Sequence, residues 1–185
     1  MTVPIRSDES DADADLNWNQ AEKTALLQGE ILLKTQSHTA WGGAVTATMY
    51  LPLQRARVFE LLTDYPRWVN YFPALTHSQI LGFTHGSKRL YQAAKKAFLF
   101  LTIQVEVYLR VFEFVHHQIL FRLEKGSFLD FAADLKLHDC NSGTLLTYSV
   151  KATPTIPVPP IFIEQAINLE LPANMRQMRQ VICWG

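Results

Sequence analysis

The sequence predicts an α+β fold, a curved antiparallel sheet wrapped around a long C-terminal helix, with two short helices after the first strand. Three observations carry this. Between Leu101 and Ala152 apolar and polar residues alternate over several runs, the period of strands with one dry and one wet face. Between Arg57 and Phe72 the period becomes helical, and from Ile161 onward apolar residues stand at 163, 167, 171, 175, 178 and 182, the stripe of a long amphipathic helix. A half-wet sheet must cover its dry face, and the only long apolar helix comes last.

Taken in order, the chain opens on a segment different in kind. Asp8, Glu9, Asp11, Asp13 and Asp15 fall between Ser7 and Gln20 with no basic residue among them. Such a stretch buries too little apolar surface to offset its ordering entropy. Residues 1–24 are therefore read as an acidic mobile tail, either solvated or a docking arm for a basic partner. Residues 25–185 are read as one domain. Gln28 to Gln36 is compatible with a strand, and Ala44 to Leu51 alternates Val45, Ala47 and Met49 with Thr46, Thr48 and Tyr50. Gly42-Gly43 between them reads as a turn or bulge. Val58, Leu61 and Leu62 give the first short helix. Asp64 and Pro66 suit the start of the second, which carries Trp68, Val69 and Phe72 and stops at Pro73.

From His77 on, the chain reads as strands. Leu101, Ile103, Val105, Val107, Leu109 and Val111 form one face, and Thr102, Gln104, Glu106, Tyr108 and Arg110 the other. Ile119, Phe121 and Leu123 continue the dry face. Phe131, Ala133, Leu135 and Leu137 follow after Gly126, and Leu146, Tyr148, Val150 and Ala152 follow the Asn141-Ser142-Gly143 turn. This even spacing describes a meander. Pro154, Pro157, Pro159 and Pro160 then break the sheet. In the last helix, Phe162, Ala166 and Leu169 widen the stripe, and Pro172 is expected to kink or divide it.

Composition narrows the function. The chain has 185 residues, 48% hydrophobic and 18% charged, enough for a sizeable core. Seventeen basic residues balance seventeen acidic ones, which removes the whole-protein argument for nucleic acid. The longest apolar run, Ala97 to Leu101, falls far short of the roughly 20 residues that span a bilayer. Two cysteines, Cys140 and Cys183, make neither a disulfide framework nor a metal-ligand pattern. The N-terminus lacks the apolar core of a secretory signal. A cytoplasmic location follows as the expectation.

Several stretches resemble one family. Val58-Phe59-Glu60-Leu61-Leu62-Thr63-Asp64-Tyr65-Pro66, with Trp68 and Tyr71-Phe72-Pro73, is similar to its two small helices and the aspartate–aromatic step between them. Ser78-Gln79-Ile80-Leu81, Ile119-Leu120-Phe121-Arg122, Glu124-Lys125-Gly126-Ser127-Phe128 and Gly143-Thr144-Leu145-Leu146-Thr147-Tyr148 follow in order. Pro160 and Leu171-Pro172-Ala173-Asn174-Met175-Arg176 come last. In order and spacing these resemble the helix-grip superfamily of START-like (SRPBCC) and polyketide cyclase/dehydrase-like domains, most closely the coenzyme Q-binding START-type branch. The resemblance implies a lipophilic pocket under the C-terminal helix and no fixed catalytic set, because binders, transporters and cyclases share this fold.

The candidate pocket residues follow from phase. From the sheet they are Ile103, Val105, Phe121, Phe131, Ala133 and Tyr148, with Tyr91 added although its phase is poorly set. Phe72 comes from the second short helix. Phe162, Ile163, Ala166, Ile167 and Leu171 come from the last one. Ala133 and Ala166, small residues expected to face each other, leave either close backbones or a void. A buried tyrosine hydroxyl such as that of Tyr148 needs a partner, from protein or ligand. Asn168 and Asn174 are either solvated or reach the same space. No nucleophile elbow, zinc helix, phosphate loop or dinucleotide glycine pattern occurs. His116-His117 suits a turn better than a metal site, since strand neighbours point to opposite faces. Glu106 and Arg110 sit on the wet face, where a solvated role competes with an acid–base one. No metal, cofactor or catalytic residue is assigned.

Three functions stay open. The first is binding of a lipophilic small molecule such as a quinone or isoprenoid. The second is a cyclase or dehydratase acting on a polyketide-like substrate in the same cavity. The third is an interaction module with a filled core. Lys95 to Leu101, two lysines before an aromatic run, adds transient membrane contact as an expectation.

Overall fold

A computed structural model describes residues 18–84, 86–98 and 101–185, without the side chains of 96–98 and 101–103. Eight antiparallel strands form one sheet: β1 (Leu32–Gln36), β2 (Gly43–Leu51), β3 (Leu75–Thr84), β4 (Ser87–Phe98), β5 (Leu101–Phe114), β6 (Gln118–Gly126), β7 (Phe128–Cys140) and β8 (Gly143–Pro154). Their order is β1-β2-β8-β7-β6-β5-β4-β3, a meander whose second strand closes against its last. The expected architecture is present: α2 (Arg55–Thr63), a 3₁₀ turn (Tyr65–Arg67) and α3 (Trp68–Tyr71) follow β2, and a long C-terminal helical segment covers the sheet.

One element was not expected. Helix α1 (Gln20–Leu27) is held by a reciprocal cap, in which Glu22 N donates to Asn19 Oδ1 at 2.9 Å and Asn19 N donates to Glu22 Oε2 at 2.8 Å. Leu26 is its buried anchor. Regular structure thus starts before Ala25, and the acidic stretch that precedes Trp18 lies outside the described residues. After α1, Gly29 takes φ +93, and the Arg179 guanidinium packs where a Cβ would stand.

The sheet's inner face is read directly from its register. Ala47, Tyr148 and Leu135 are neighbours across β2, β8 and β7, as are Val45, Val150 and Ala133. Ile119 and Phe121 pair with Leu135 and Ala133, and Val111 and Leu109 continue the face into β5. The two-residue phase keeps all of these on one side. Over one half of this face lie α2, α3 and the last helix, α5 (Leu171–Trp184), whose Met175 and Met178 are fully buried. Phe121 stacks edge-on against Tyr65 at 6.0 Å and meets Trp68 at 5.1 Å. The polar tips there are satisfied: Trp68 Nε1 donates to Leu62 O at 2.8 Å, Tyr71 Oη to Leu61 O at 2.9 Å, and Tyr65 Oη to Glu113 Oε1 at 2.5 Å.

The last helix is not a single α-helix. α4 (Pro160–Gln165) passes into a π turn (Ala166–Glu170), and α5 follows with Pro172 in its first turn. Pro172 has no N–H for the carbonyl four residues back, and its ring would clash with that carbonyl. The wider turn relieves both, a known route to altering a helix without ending it. The expected irregularity is therefore present, as a π turn just before the proline.

Candidate functional site

The inner face is not uniform along its strands. Toward the end where β4, β6 and β8 finish, it stays apolar but ceases to be fully buried. Val105, Leu123, Phe131 and Val150 keep part of their surface exposed although they share the phase of the buried residues, and so does Phe128, which joins them across a register shift. α4 and the π turn lie over this half. Their Ile163 and Ile167 approach the sheet at Gly43, where an added Cβ would stand 2.9 Å from Ile163 Cγ2 and 3.1 Å from Ile167 Cδ1. Glycine at the first position of β2 thus lets the helix come down on the sheet edge. Ile163 and Ile167 are only half-buried.

Tyr148 stands at the boundary of the two halves. Its ring is 6.4 Å from that of Phe72, and Phe72 in turn stacks on Trp68 at 5.6 Å. Its side chain is 9% exposed, and among the described residues no hydrogen-bond partner for its hydroxyl is found. Burial pushes the hydroxyl up to about 12, so at neutral pH the phenol keeps its proton and can donate. On the same face, four strands away on β4, Gln92 Nε2 donates to Ser78 Oγ at 3.1 Å, a buried amide that sequence phase alone did not single out.

The candidate residues divide accordingly. Val105, Phe131, Ile163 and Ile167 line the open half, with Phe72 and Tyr148 at its inner limit. Phe121, Ala133 and Leu171 are in the packed half, buried to 2%, 3% and 8% exposure. There the small Ala133 is matched by its large β6 neighbour Phe121, so no void opens between them. Ala166 is exposed and does not face Ala133; the extra residue of the π turn rotates it away. Tyr91 is a further correction. It pairs with Tyr108 on the outer face, 5.0 Å ring to ring, and donates to Glu106 Oε2 at 3.2 Å. Phe162 is half-buried, and the side chain of Ile103 lies outside the described residues. Leu123 and Val150 belong with the open half and were missed, although the alternation already contained them; Phe128 joins them out of phase, through the register shift between Phe128 and Asp130.

The other candidate chemistry falls elsewhere. Arg110 and Arg89 both reach Glu124 on the outer face. Burial raises the Glu124 carboxyl, but the two guanidinium groups outweigh it and hold it below the usual range. His116 and His117 sit in the β5–β6 turn, His116 edge-on to Phe59 at 5.6 Å and His117 at 3.3 Å from Arg55. Among the described residues no group of three metal-ligating side chains is found. Lys95 is exposed, and the aromatic run after it lies outside the described side chains. No helix among the described residues is long and apolar enough to cross a membrane.

Residues 51–179 match the model of the family described as polyketide cyclase / dehydrase and lipid transport. The chain belongs to that family. The match spans α2, the whole meander after it and most of the C-terminal helix, so it includes the open half. Solved structures share the fold. TTHA0849 from Thermus thermophilus superposes with a TM-score of 0.65 at 14% identity, covering 75% of this chain and 96% of its own. A STAR-related lipid transfer protein from Xanthomonas axonopodis gives 0.59 at 13% identity, covering 81% and 98%. The Zhui aromatase/cyclase from Streptomyces sp. R1128 gives 0.61 at 13% identity, covering 76% and 93%. At such identities the likeness shows the fold alone. No curated protein matches the chain by sequence.

Proposed function

We propose that this family member binds a lipophilic small molecule between the open half of the sheet and the α4–π segment. The observation that carries this is the partly exposed apolar face of Val105, Leu123, Phe131 and Val150, with Ile163 and Ile167 of the α4–π segment meeting the same sheet at Gly43. Apolar surface left open beside a packed core favours an apolar guest, because the guest removes it from water at roughly 25 cal/mol per Å². Tyr148 supplies one polar point of attachment at the inner limit of that space. A ring-plus-tail lipid fits this pattern, its carbonyl or hydroxyl on Tyr148 and its tail along the open half. The sequence resemblance to the coenzyme Q-binding branch makes a quinone the first ligand to test. Ile156, Ile161 and Leu169, exposed along the same end, are apolar surface that a membrane or lipid donor would meet.

Native mass spectrometry of the protein purified from its own host tests the proposal. The expected result is a mass increment of a lipophilic molecule that organic solvent removes. A bare chain that also takes up no added quinone or isoprenoid would contradict it. The cyclase reading rests on the same Tyr148 hydroxyl and the same cavity. It requires that Tyr148→Phe abolish turnover of a polyketide-like substrate while binding persists.

A further inference from the structure

Away from the proposed cavity, a groove of about 550 Å³ runs along the outer flank of α5. Arg176, Arg179 and Trp184 form one wall, and Leu27 at the end of α1 and Tyr50 of β2 help form the other. Among the described residues no acidic side chain lines it. Arg179 Nη1 donates to Gly29 O at 2.5 Å, which fixes one guanidinium at the groove floor. Arg176 is exposed, and no ion pair to it is found among the described residues. Trp184 is 72% exposed and Leu27 43%. Two cations and an exposed indole without an acid beside them suit an anionic chain carrying some apolar side chains.

The chain carries such a segment next door. Asp8, Glu9, Asp11, Asp13 and Asp15, with Ala12, Ala14 and Leu16, precede Trp18. From Trp18 the backbone leads straight into α1, whose far end is a groove wall. Helix α1 has 8 residues, a span of about 12 Å. The ten residues from Asp8 to Trp18 reach about 33 Å when extended, so return to the groove needs no strain. Trp18 Nε1, at the root of the segment, is buried without a hydrogen-bond partner among the described residues. A carboxylate of the returning chain would give it an acceptor.

We infer that the acidic N-terminal segment, Asp8 to Asp15, docks in the Arg176–Arg179–Trp184 groove and ties the two ends of the chain together. The docking uses surface that the cavity proposal does not use, so the two stand or fall separately.

The test uses the full chain. A nitroxide is placed at Ser10→Cys in a background of Cys140→Ser and Cys183→Ser, and ¹⁵N spectra follow the Trp184 indole and the Arg176 amide. At low ionic strength both signals should lose more than half their intensity against the reduced label. Intensity should return in about 0.5 M salt, where the Debye length shrinks to about 4 Å, and in Arg176→Glu. Because Arg176 is exposed, that variant should keep its fold, checked by circular dichroism. Equal intensities with oxidised and reduced label at low salt would overturn the inference. So would attenuation that survives Arg176→Glu, or groove signals that respond to an added acidic peptide from another protein as strongly as to the chain's own segment.

Discussion

The two halves of the inner face are built from the same strands in the same phase, yet one is solid and the other is open. In the packed half large side chains sit beside small ones, Phe121 next to Ala133, and the polar tips of Trp68, Tyr71 and Tyr65 find acceptors. In the open half equally apolar residues, Phe131 and Val150 among them, keep surface exposed, and the Tyr148 hydroxyl stands without a partner among the described residues. The difference comes from the cover, not from the sheet. α2, α3 and α5 press on one half, whereas a six-residue helix and a π turn roof the other. Hydrophobicity alone therefore does not close a core; the covering element must also match the sheet in length and register.

The sharpest way to break this contrast is truncation on each side. Phe121→Ala in the packed half should cost about 3–5 kcal/mol, the range for emptying a buried aromatic. Phe131→Ala in the open half should cost no more than about 1–2 kcal/mol, because part of that ring is already wet. Urea unfolding of both variants measures the gap. Equal losses would mean that the two halves are packed alike.

Pro172 sharpens the comparison at the roof. Pro172→Ala restores the missing amide and removes the ring clash, so the π turn over 166–170 should tighten toward α geometry. Hydrogen exchange across these residues should slow, with stability changed by about 1 kcal/mol or less. Unchanged exchange would show that the π turn owes nothing to the proline.

The smallest effect is in the alkaline limb. The Tyr148 phenol is raised from 10.0 to about 12 by burial, so folding favours its neutral form. This contribution is whole below pH 10 and is lost as pH rises from 10 toward 12. Tyr148→Phe should flatten that part of the stability profile and be neutral or slightly stabilising at pH 7, since it removes an unpartnered hydroxyl. A matching loss above pH 10 in the variant would assign the whole slope to Tyr65 and Tyr71, which burial also raises.

Much of this was legible in the sequence. The strict alternation from Leu101 to Ala152 fixed four strands and their dry face, and Asp64-Tyr65-Pro66 marked the break between the short helices. Three things were not legible, each for a physical reason. Helix α1 depends on the Asn19–Glu22 cap, whose acid merged with the acidic run before it. Tyr91 lies on a strand whose pairing with β3 slips between Ile80 and Gly82, so its phase could not be counted from β3. Ala166 was placed on an unbroken α-helical wheel, and a π turn adds a residue that shifts every position beside it. Within the site, Val105, Phe131, Ile163 and Ile167 were found by phase, but how far each is buried depends on the roof, which no strand period encodes.

The central claim is that the open half receives a lipophilic guest. Its most direct measurement is a paired titration of wild type and Val150→Trp with the neutral fluorophore N-phenyl-1-naphthylamine, with the unfolding midpoint taken on the same samples. Val150 is half-buried and stands beside the buried Val45 and Ala133, at the border of the open half. A larger ring there fills open space rather than straining a packed core, where overpacking costs about 1–3 kcal/mol. The account predicts saturable binding by wild type, at least about tenfold weaker binding by the variant, a change of about 1.4 kcal/mol, and an unmoved or higher midpoint. A variant that unfolds readily, from a wild type that binds no probe, would show an ordinary filled core and contradict the account.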